Sequence, residues 1–448
     1  MSAALKPNQQ TPLLLPSEAG LNLPGNEHAW LKKYRQEAEQ AFIDQGLPTV
    51  RDEEWRYTDI RRIKKQQFSV QFKTPDVSDA LAKLPDYDVT RLVVINGLYA
   101  PTFSNDKIPN GVVIKSLASS LEEGALKGIL GSTLPKDQHA FTLLNSAYCL
   151  DGLVIEINQN TVLDKPIEIV HVTTSFEQLN NSSQSSVSHC RNIIMVGKLS
   201  QAQIIERFIS LDFKNCYLNN SITEIIAHDG AHLSHYKVQQ EAANAFHMGG
   251  VFSNQGRDSK VVNHNIALGG DLVRNEINLK LLGKGAHGGM NGLVLGKNSQ
   301  HIHNHTEVDH RVAHCSSNEF YKNVLDDKSR AIFRGRIIVA QDAQKTDAEQ
   351  QNDNLLLSSN AEANTKPQLE IYADDVVCSH GATIGQLDKK SQFYFQSRGI
   401  NKADARRLLT FAFVNEVIEE IEFEPLRNEL RQLLLGELLP NDFQQVFA

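Results

Sequence analysis

Hydrophobic positions divide the chain into three stretches with different periods. From His28 to Gln45, Trp30, Leu31, Tyr34, Ala38, Ala41 and Phe42 recur at helical spacing, and Gly46-Leu47-Pro48 closes the helix. A mixed region runs on to about Leu150. It holds a strand-like Arg91-Leu92-Val93-Val94-Ile95-Asn96-Gly97 and an apolar stretch, Phe141 to Leu150, whose period suits neither element cleanly. From about Leu153 to Gln396 the helical period nearly vanishes. Short runs of strand character replace it: Ile167–Thr173, Asn192–Val196, Ala202–Leu211, Ser221–Ala227, His232–Gln240, Val273–Leu281, Gly292–Leu295, His301–Asp309, Glu319–Leu325, Ala331–Val339, Asn354–Ser358 and Leu369–Ala373. Turn residues such as Gly283-Lys284-Gly285, Gly296-Lys297-Asn298-Ser299 and Asp326-Asp327-Lys328-Ser329 separate many of them. Gln178 to Ser188 reads as a polar loop.

In the later part, strand centres recur roughly every 15 residues, a spacing that suits a sandwich, a barrel or a parallel β-helix. Length favours the last, because roughly 240 residues of strand and turn overfill a sandwich whereas a solenoid grows by stacking rungs. Helical patterning returns at the C-terminus. Asn401 caps a helix starting at Lys402, with Ala405, Leu408, Leu409, Ala412, Phe413, Val417 and Ile421 on one broad face. Pro425 opens a second pattern carrying Leu426, Leu430, Leu433 and Leu434. Such helices cap a solenoid or present a docking surface. The expected organisation is a flexible tail over 1–27, a helical and mixed subdomain over 28–150, a β-solenoid core over 151–396 and a helical subdomain over 397–448.

Composition narrows the function classes. Apolar residues make up 41% of 448, which suits a shape with much surface per residue. A net charge of −8 leaves no basic excess for a nucleic acid or an anionic membrane. Cys149, Cys190, Cys216, Cys315 and Cys378 are odd in number, scattered and free of C-x-x-C spacing, as expected of reduced thiols in the cytoplasm. Leu13-Leu14-Leu15, between Pro12 and Pro16, is too short for a signal-peptide core, so a soluble protein is expected.

Three motifs carry candidate chemistry. Gly283-Lys284-Gly285-Ala286-His287-Gly288 fits G-x-G-x-x-G but joins strand to strand, so no helix N-terminus faces a pyrophosphate; it reads as a turn. No P-loop motif is present either, so ATP hydrolysis is not expected of this chain. His301, His303, His305, Glu307 and Asp309 alternate along one strand, with His310 and His314 nearby. Alternate strand residues lie about 7 Å apart, which strains a shared ion, so a solvated or hydrogen-bonded ladder is the first reading and a metal-dependent or carbohydrate-active β-helix enzyme the alternative. Cys378 and His380 are the third motif. If the strand from Glu370 to Val377 continues, they share a face, and thiolate beside imidazole makes half a site for zinc, iron or an iron–sulfur cluster. The remaining ligands must then come from elsewhere, such as another chain. A buried Cys beside a hydrogen-bonded His in a turn accounts for the spacing equally simply. Nothing orients the pair for nucleophilic catalysis.

The segment from Lys366 to Ile400, with Cys378-Ser379-His380-Gly381 and the closing Tyr394-Phe395-Gln396-Ser397-Arg398-Gly399-Ile400, resembles the SufB/SufD family of iron–sulfur cluster assembly proteins, nearer its SufD branch. Gly46-Leu47-Pro48-Thr49-Val50-Arg51-Asp52-Glu53-Glu54-Trp55-Arg56-Tyr57-Thr58-Asp59 resembles the family's N-terminal motif. His310-Arg311-Val312-Ala313-His314-Cys315-Ser316-Ser317-Asn318-Glu319 and Leu325-Asp326-Asp327-Lys328-Ser329-Arg330-Ala331 resemble its central motifs. Ala313 stands where the family often has Pro, and His303 where an acidic residue is common. The likeness runs from about Trp30 to Glu420. It implies a right-handed parallel β-helix with helical subdomains at both ends, in a non-catalytic subunit that pairs with a SufB-like paralogue and a SufC-like ATPase. It further implies that the C-terminal helices dock the ATPase, and Arg406, Glu416 and Glu419 are the exposed positions chosen for that surface. His380, with Cys378 beside it, would ligate a transient iron–sulfur cluster or iron at the SufB interface, with none held tightly by the isolated chain. Whether the isolated chain forms a homodimer stays open.

Overall fold

The computed structural model describes residues 22–72, 74–105, 107–174 and 185–438. Most of the expected tail, and the Gln178–Ser188 loop up to residue 184, lie outside the described residues. Alternation of apolar side chains with small and polar ones produces two parallel sheets that face each other. The first runs, in spatial order, through Glu362–Ile371, Arg330–Val339, His301–His310, Leu272–Leu281, Ala245–Gln255, Tyr217–Ala227, Ser185–Val196, Leu153–Ile157 and Val112–Ser116. The second runs through Val377–Gly385, Asp347–Leu356, Ser316–Leu325, His287–Gly296, Lys260–Ala267, His232–Gln240, Gln201–Ser210, Ile167–Thr173, Thr90–Ile95 and Leu98–Tyr99. From Leu153 onward, consecutive strands fall in alternate sheets, giving the expected parallel β-solenoid, of about 7 turns. Each turn pairs in register with the next: Leu272 with His301 and His301 with Arg330, both offsets of 29 residues.

The corners explain how the chain keeps this register. Leu199, Asp258, His314 and Lys345 adopt φ values of 58°, 53°, 64° and 63°. That left-handed turn aims each backbone N–H at the next coil, so they donate to the carbonyls of Asp229, Lys284, Gln344 and Asp375. At the N-terminal end the parallel order is broken. Val112–Ser116 pairs antiparallel with Leu153–Ile157, and Leu98–Tyr99 antiparallel with Thr90–Ile95.

The bore is apolar over much of its section, where Ile194, Ile225, Ile277, Leu279, Val308 and Phe333 stack with Ile204, Leu233 and Val261. The outer faces are covered by the terminal helices. Ala29–Gln45 and Ala140–Tyr148, with Trp55, bury Phe42, Phe141 and Leu144 against Val187, Leu218, Met248 and Leu272 of the first sheet. Lys402–Glu419 and Glu424–Leu438 bury Val414, Val417, Leu430 and Leu434 against Tyr236, Ile266, Leu293 and Val324 of the second. Asn401 caps as expected, accepting from Asp404 N at 2.9 Å. The buried stripe is rotated from the expected one: Phe411 and Val414 face inward, while Ala412 is exposed.

Four expectations need correction. Glu370 to Val377 is not one strand that continues into Cys378, because Glu362–Ile371 ends in a corner and Val377–Gly385 belongs to the other sheet. Ser185 to Ser188, placed in the polar loop, begins a strand. Within the β-region, the strands Leu153–Ile157, Ala245–Gln255 and Lys260–Ala267 lie where the sequence pattern marks no run. Lys389–Ser397, within the stretch read as β, is a helix capped by Asp388, which accepts from Ser391 N at 2.8 Å.

Candidate functional site

In parallel strands held in register, one position of each turn stacks on the same position of the next, so a side chain's surroundings are set about 30 residues away. Cys378 stacks on Ala348, Ser317, Gly288, Val261 and Leu233, all of them pointing into the bore. His380 stacks on Gln350, Glu319, Met290, Asn263 and His235. Both side chains therefore share the inward face, although their strand is not the one the sequence suggested. Among the described residues, Val377–Gly385 is the last strand of its sheet and pairs on one side only, with Asp347–Leu356. The bore accordingly opens at this end, with His380 exposed in the opening. Cys378 is half-buried against Ile337, Val339, Ala343 and Ala373. Burial pushes its thiol up, and the neighbouring Asp347 carboxylate adds to this. Cys378 packs as much as it presents sulfur, while His380 offers an accessible donor.

Below this opening lies a column of buried polar groups that motif reading missed. Thr306 donates to Glu319 at 2.6 Å, Asn263 Nδ2 lies 2.7 Å from His235 Nδ1, and His235 Nε2 lies 2.9 Å from Glu206. Burial pushes the Glu319 carboxyl up to about 7, with Thr306 and Gln350 pulling the other way. The offsets of 31 residues from Glu319 to Gln350 and 30 from Gln350 to His380 were the available signal.

The histidine ladder faces the opposite way. His301, His303 and His305 lie on the outer face of the first sheet, but they are buried beneath the N-terminal segment rather than solvated. Arg274, stacked under Trp55 at 4.2 Å, donates to His303 Nδ1 at 2.7 Å and to His305 Nδ1 at 3.1 Å. Thr58 Oγ1 also lies 2.7 Å from His303 Nδ1. Burial first, then Arg274, lowers both imidazoles, His305 to about 3. Glu276 pairs with His139; burial works to raise its pKa, but His139, with His305 and Arg274 beside it, outweighs that and holds the carboxyl well below the usual range. A guanidinium donating to two imidazoles occupies the lone pairs a cation would need. Among the described residues, no three His, Cys, Asp or Glu side chains converge to hold a metal ion. The ladder is therefore a hydrogen-bonded seam between subdomains, and it lends no support to the enzyme alternative.

The three docking candidates all have partners within the chain. Arg406 donates to Leu357 O at 2.6 Å and reaches Asp326 at 3.4 Å, fastening its helix to a solenoid corner. Glu416 accepts from Lys322 Nζ at 2.6 Å, and that ammonium, itself buried, also sits 4.3 Å above the Phe413 ring. Glu419 pairs with Arg431 across the two last helices. Among the described residues, no helix is long and apolar enough to cross a membrane.

Comparison with known proteins agrees with this architecture along nearly the whole chain. The family model described as "SUF system FeS cluster assembly, SufBD core domain" matches residues 178–413, and that of the "SufBD protein N-terminal region" matches residues 17–169. An iron–sulfur cluster assembly SufBD family protein of Synechocystis sp. is 33% identical over 422 residues, covering 91% of each chain. The iron–sulfur cluster assembly protein SufD of Escherichia coli is 31% identical over 403 residues, covering 90% of this chain and 91% of its own. The SufD of Bacillus subtilis is 25% identical over 418 residues, covering 90% and 93%. With the solenoid, both family segments and full-length likeness to SufD proteins in agreement, the chain belongs to the SufB/SufD family of the SUF iron–sulfur cluster assembly system.

Proposed function

We propose that this chain is a non-catalytic scaffold subunit of a SufBCD-type complex in the cytoplasm, in which its open solenoid end meets a SufB-like paralogue and its C-terminal helices receive a SufC-like ATPase. The observation that carries the reading is the Val377–Gly385 strand, whose free edge bears Cys378 and His380 on its bore-facing side. A free edge strand is a template for pairing with another chain, and main-chain hydrogen bonds across such a seam supply affinity. Apolar side chains flank the edge: Tyr372, Val377 and Ile384 are 64%, 69% and 50% exposed. Exposed apolar surface of this kind marks a protein contact.

At that seam a single imidazole from His380, with Cys378 near it, completes a transient cluster whose other ligands come from the paralogue. The cluster is cargo. A donor set divided between two chains releases it more readily than a closed four-ligand cage does. The same edge admits a second copy of this chain when no paralogue is present. Co-expression with SufB- and SufC-like partners, followed by anaerobic reconstitution and absorption spectroscopy, tests the reading. His380→Ala should leave the complex assembled and abolish cluster formation. Normal cluster yield from the Cys378→Ser/His380→Ala double variant removes the site assignment, and failure of the wild-type chain to co-purify with either partner removes the complex.

A further inference from the structure

The turn directly beneath His380 contains an anomaly. Gln350 is fully buried in the bore, yet among the described residues neither Nε2 nor Oε1 makes a well-formed hydrogen bond; the Glu319 carboxyl is near enough for the amide to help lower its pKa, but outside hydrogen-bonding geometry. A buried amide left unpaired costs about 1–3 kcal/mol, so such a group is expected to acquire a partner in the working state. Room has been made for it. Gly335, on the facing sheet, would drive any Cβ onto Gln350 Nε2. On its inner side Gln350 borders Glu319, whose far oxygen is anchored by Thr306 at 2.6 Å and whose Oε1 is also unpaired. On its outer side the register places His380 directly above it, one strand spacing away, about 4.8 Å. No third residue of that inward column intervenes.

We propose that Gln350, held from behind by Glu319, is the positioning residue for His380: its amide engages the His380 ring when the seam closes and fixes which ring nitrogen is left to meet iron. This inference rests on the ligand role proposed for His380. An exposed imidazole on an edge strand samples many rotamers and both tautomers, and a hydrogen bond to one nitrogen selects the orientation and frees the other. Glu319 is suited to stand behind an amide, because a carboxyl held near neutrality accepts from Nε2 when ionised and donates to Oε1 when protonated. The two states turn the amide opposite ways. In the free chain the amide makes only its loose contact with Glu319, which explains a buried polar group that a leucine or methionine would replace at lower cost.

The test uses the reconstituted complex with the partner subunits, comparing wild type, Gln350→Met, Glu319→Gln and His380→Ala. Gln350→Met keeps the shape of the side chain and removes an unpaired polar group, so the melting temperature of the isolated chain should hold or rise. Cluster formation should nevertheless slow about 10- to 100-fold, the range expected when a partner behind a metal ligand is lost. Pulsed EPR of the reduced cluster should show the histidine nitrogen coupling weakened in Gln350→Met and absent in His380→Ala. Glu319→Gln, which can no longer ionise, should flatten the pH dependence of cluster formation between about pH 6 and 8. Wild-type rate and nitrogen coupling in Gln350→Met overturn the positioning role if His380→Ala is still inactive. If His380→Ala itself forms clusters normally, the underlying ligand assignment fails instead. A Gln350→Met chain that melts lower and also forms clusters slowly, with unchanged nitrogen coupling, marks a packing role and likewise overturns the proposal.

Discussion

Replacing Glu429 by alanine should loosen the last helix from the solenoid, and the structure sets the size of the effect. Arg207 is buried in the second sheet and donates to both Glu429 oxygens at 2.8 Å, with Nε on Glu168 at 3.1 Å. Glu168 is shared with Arg91 at 2.6 Å, and the Tyr87 hydroxyl also reaches Glu429. Burial alone would lower the Arg207 pKa, but the two carboxylates more than reverse this, so the cation is fixed and must be matched. Stripping one partner from a buried ion pair costs about 3–5 kcal/mol. Because Glu168 remains, the lower end applies, about 3 kcal/mol. If the helix opens locally, about 3 kcal/mol multiplies its opening equilibrium roughly 150-fold. Amide hydrogen exchange of Glu424–Leu438 should therefore accelerate about 100-fold in Glu429→Ala, while the Leu272–Leu281 strand stays protected. Arg207→Met/Glu429→Leu, which removes both charges, should exchange near the wild-type rate. An increase below about threefold in the single variant, or a double variant as labile as the single, refutes the argument that this clamp holds the helix.

Three further outcomes are expected. Glu416→Lys should lower the thermal midpoint by the equivalent of about 1 kcal/mol, discounted because Glu416 is largely exposed, since it leaves the buried Lys322 ammonium without its carboxylate. Glu419→Arg should have a smaller effect, and co-purification with the ATPase, measured beside each melt, tells docking loss from helix loss. Gly335→Ala should destabilise by about 1–3 kcal/mol in denaturant titrations through its clash with Gln350, and Gln350→Ala in the same chain should restore most of it. The buried titrating groups should oppose one another in pH-dependent unfolding. His305, lowered from 6.5 to about 3, contributes stability that is present above pH 6.5 and drains away as pH falls towards 3. Glu319, raised from 4.5 to about 7, contributes stability that is full below pH 4.5 and lost as pH rises through 7. His305→Gln should therefore soften the acid loss, and Glu319→Gln the decline between pH 5 and 8; no change in either slope counts against the burial argument.

Where apolar or β-branched residues alternate along the solenoid wall, as in Ile167–Thr173 and, through Leu233, Tyr236 and Val238, in His232–Gln240, local pattern and observed strand coincide to the residue. Strand character disappears from view where the bore demands small residues. Ala245–Gln255 contains Gly249 and Gly250, and a side chain on Gly249 would collide with the buried Lys237 ammonium. The amide-rich Asp347–Leu356 was recognised only at its apolar end for a similar reason, since Gln350, Asn352 and Asn354 point inward and pack as polar groups. Phe141 to Leu150 was ambiguous because its helix is buried on nearly every side, which erases the amphipathic period. The Cys378/His380 pair was visible as an i, i+2 motif, but its neighbours were not. They are set by pairing across a whole turn, which local spacing does not encode. The burial of the histidine ladder likewise depends on a covering segment some 240 residues earlier in the chain, around Thr58.

The two ends of the solenoid are chemically unlike, and this limits how many bodies can join. The N-terminal end finishes each sheet with a strand running the wrong way, Val112–Ser116 in one and the two-residue Leu98–Tyr99 in the other. Neither continues the parallel ladder, so the coil-on-coil register of the solenoid is not carried on from that end. The Val377–Gly385 end does continue it. When two such open ends meet, each consumes the other's free edge and no growing tip remains. If the proposed pairing uses this surface, assembly would stop at a pair, whether the second solenoid is a paralogue or a twin, and a molecule built like a fibril segment would thereby be kept from polymerising.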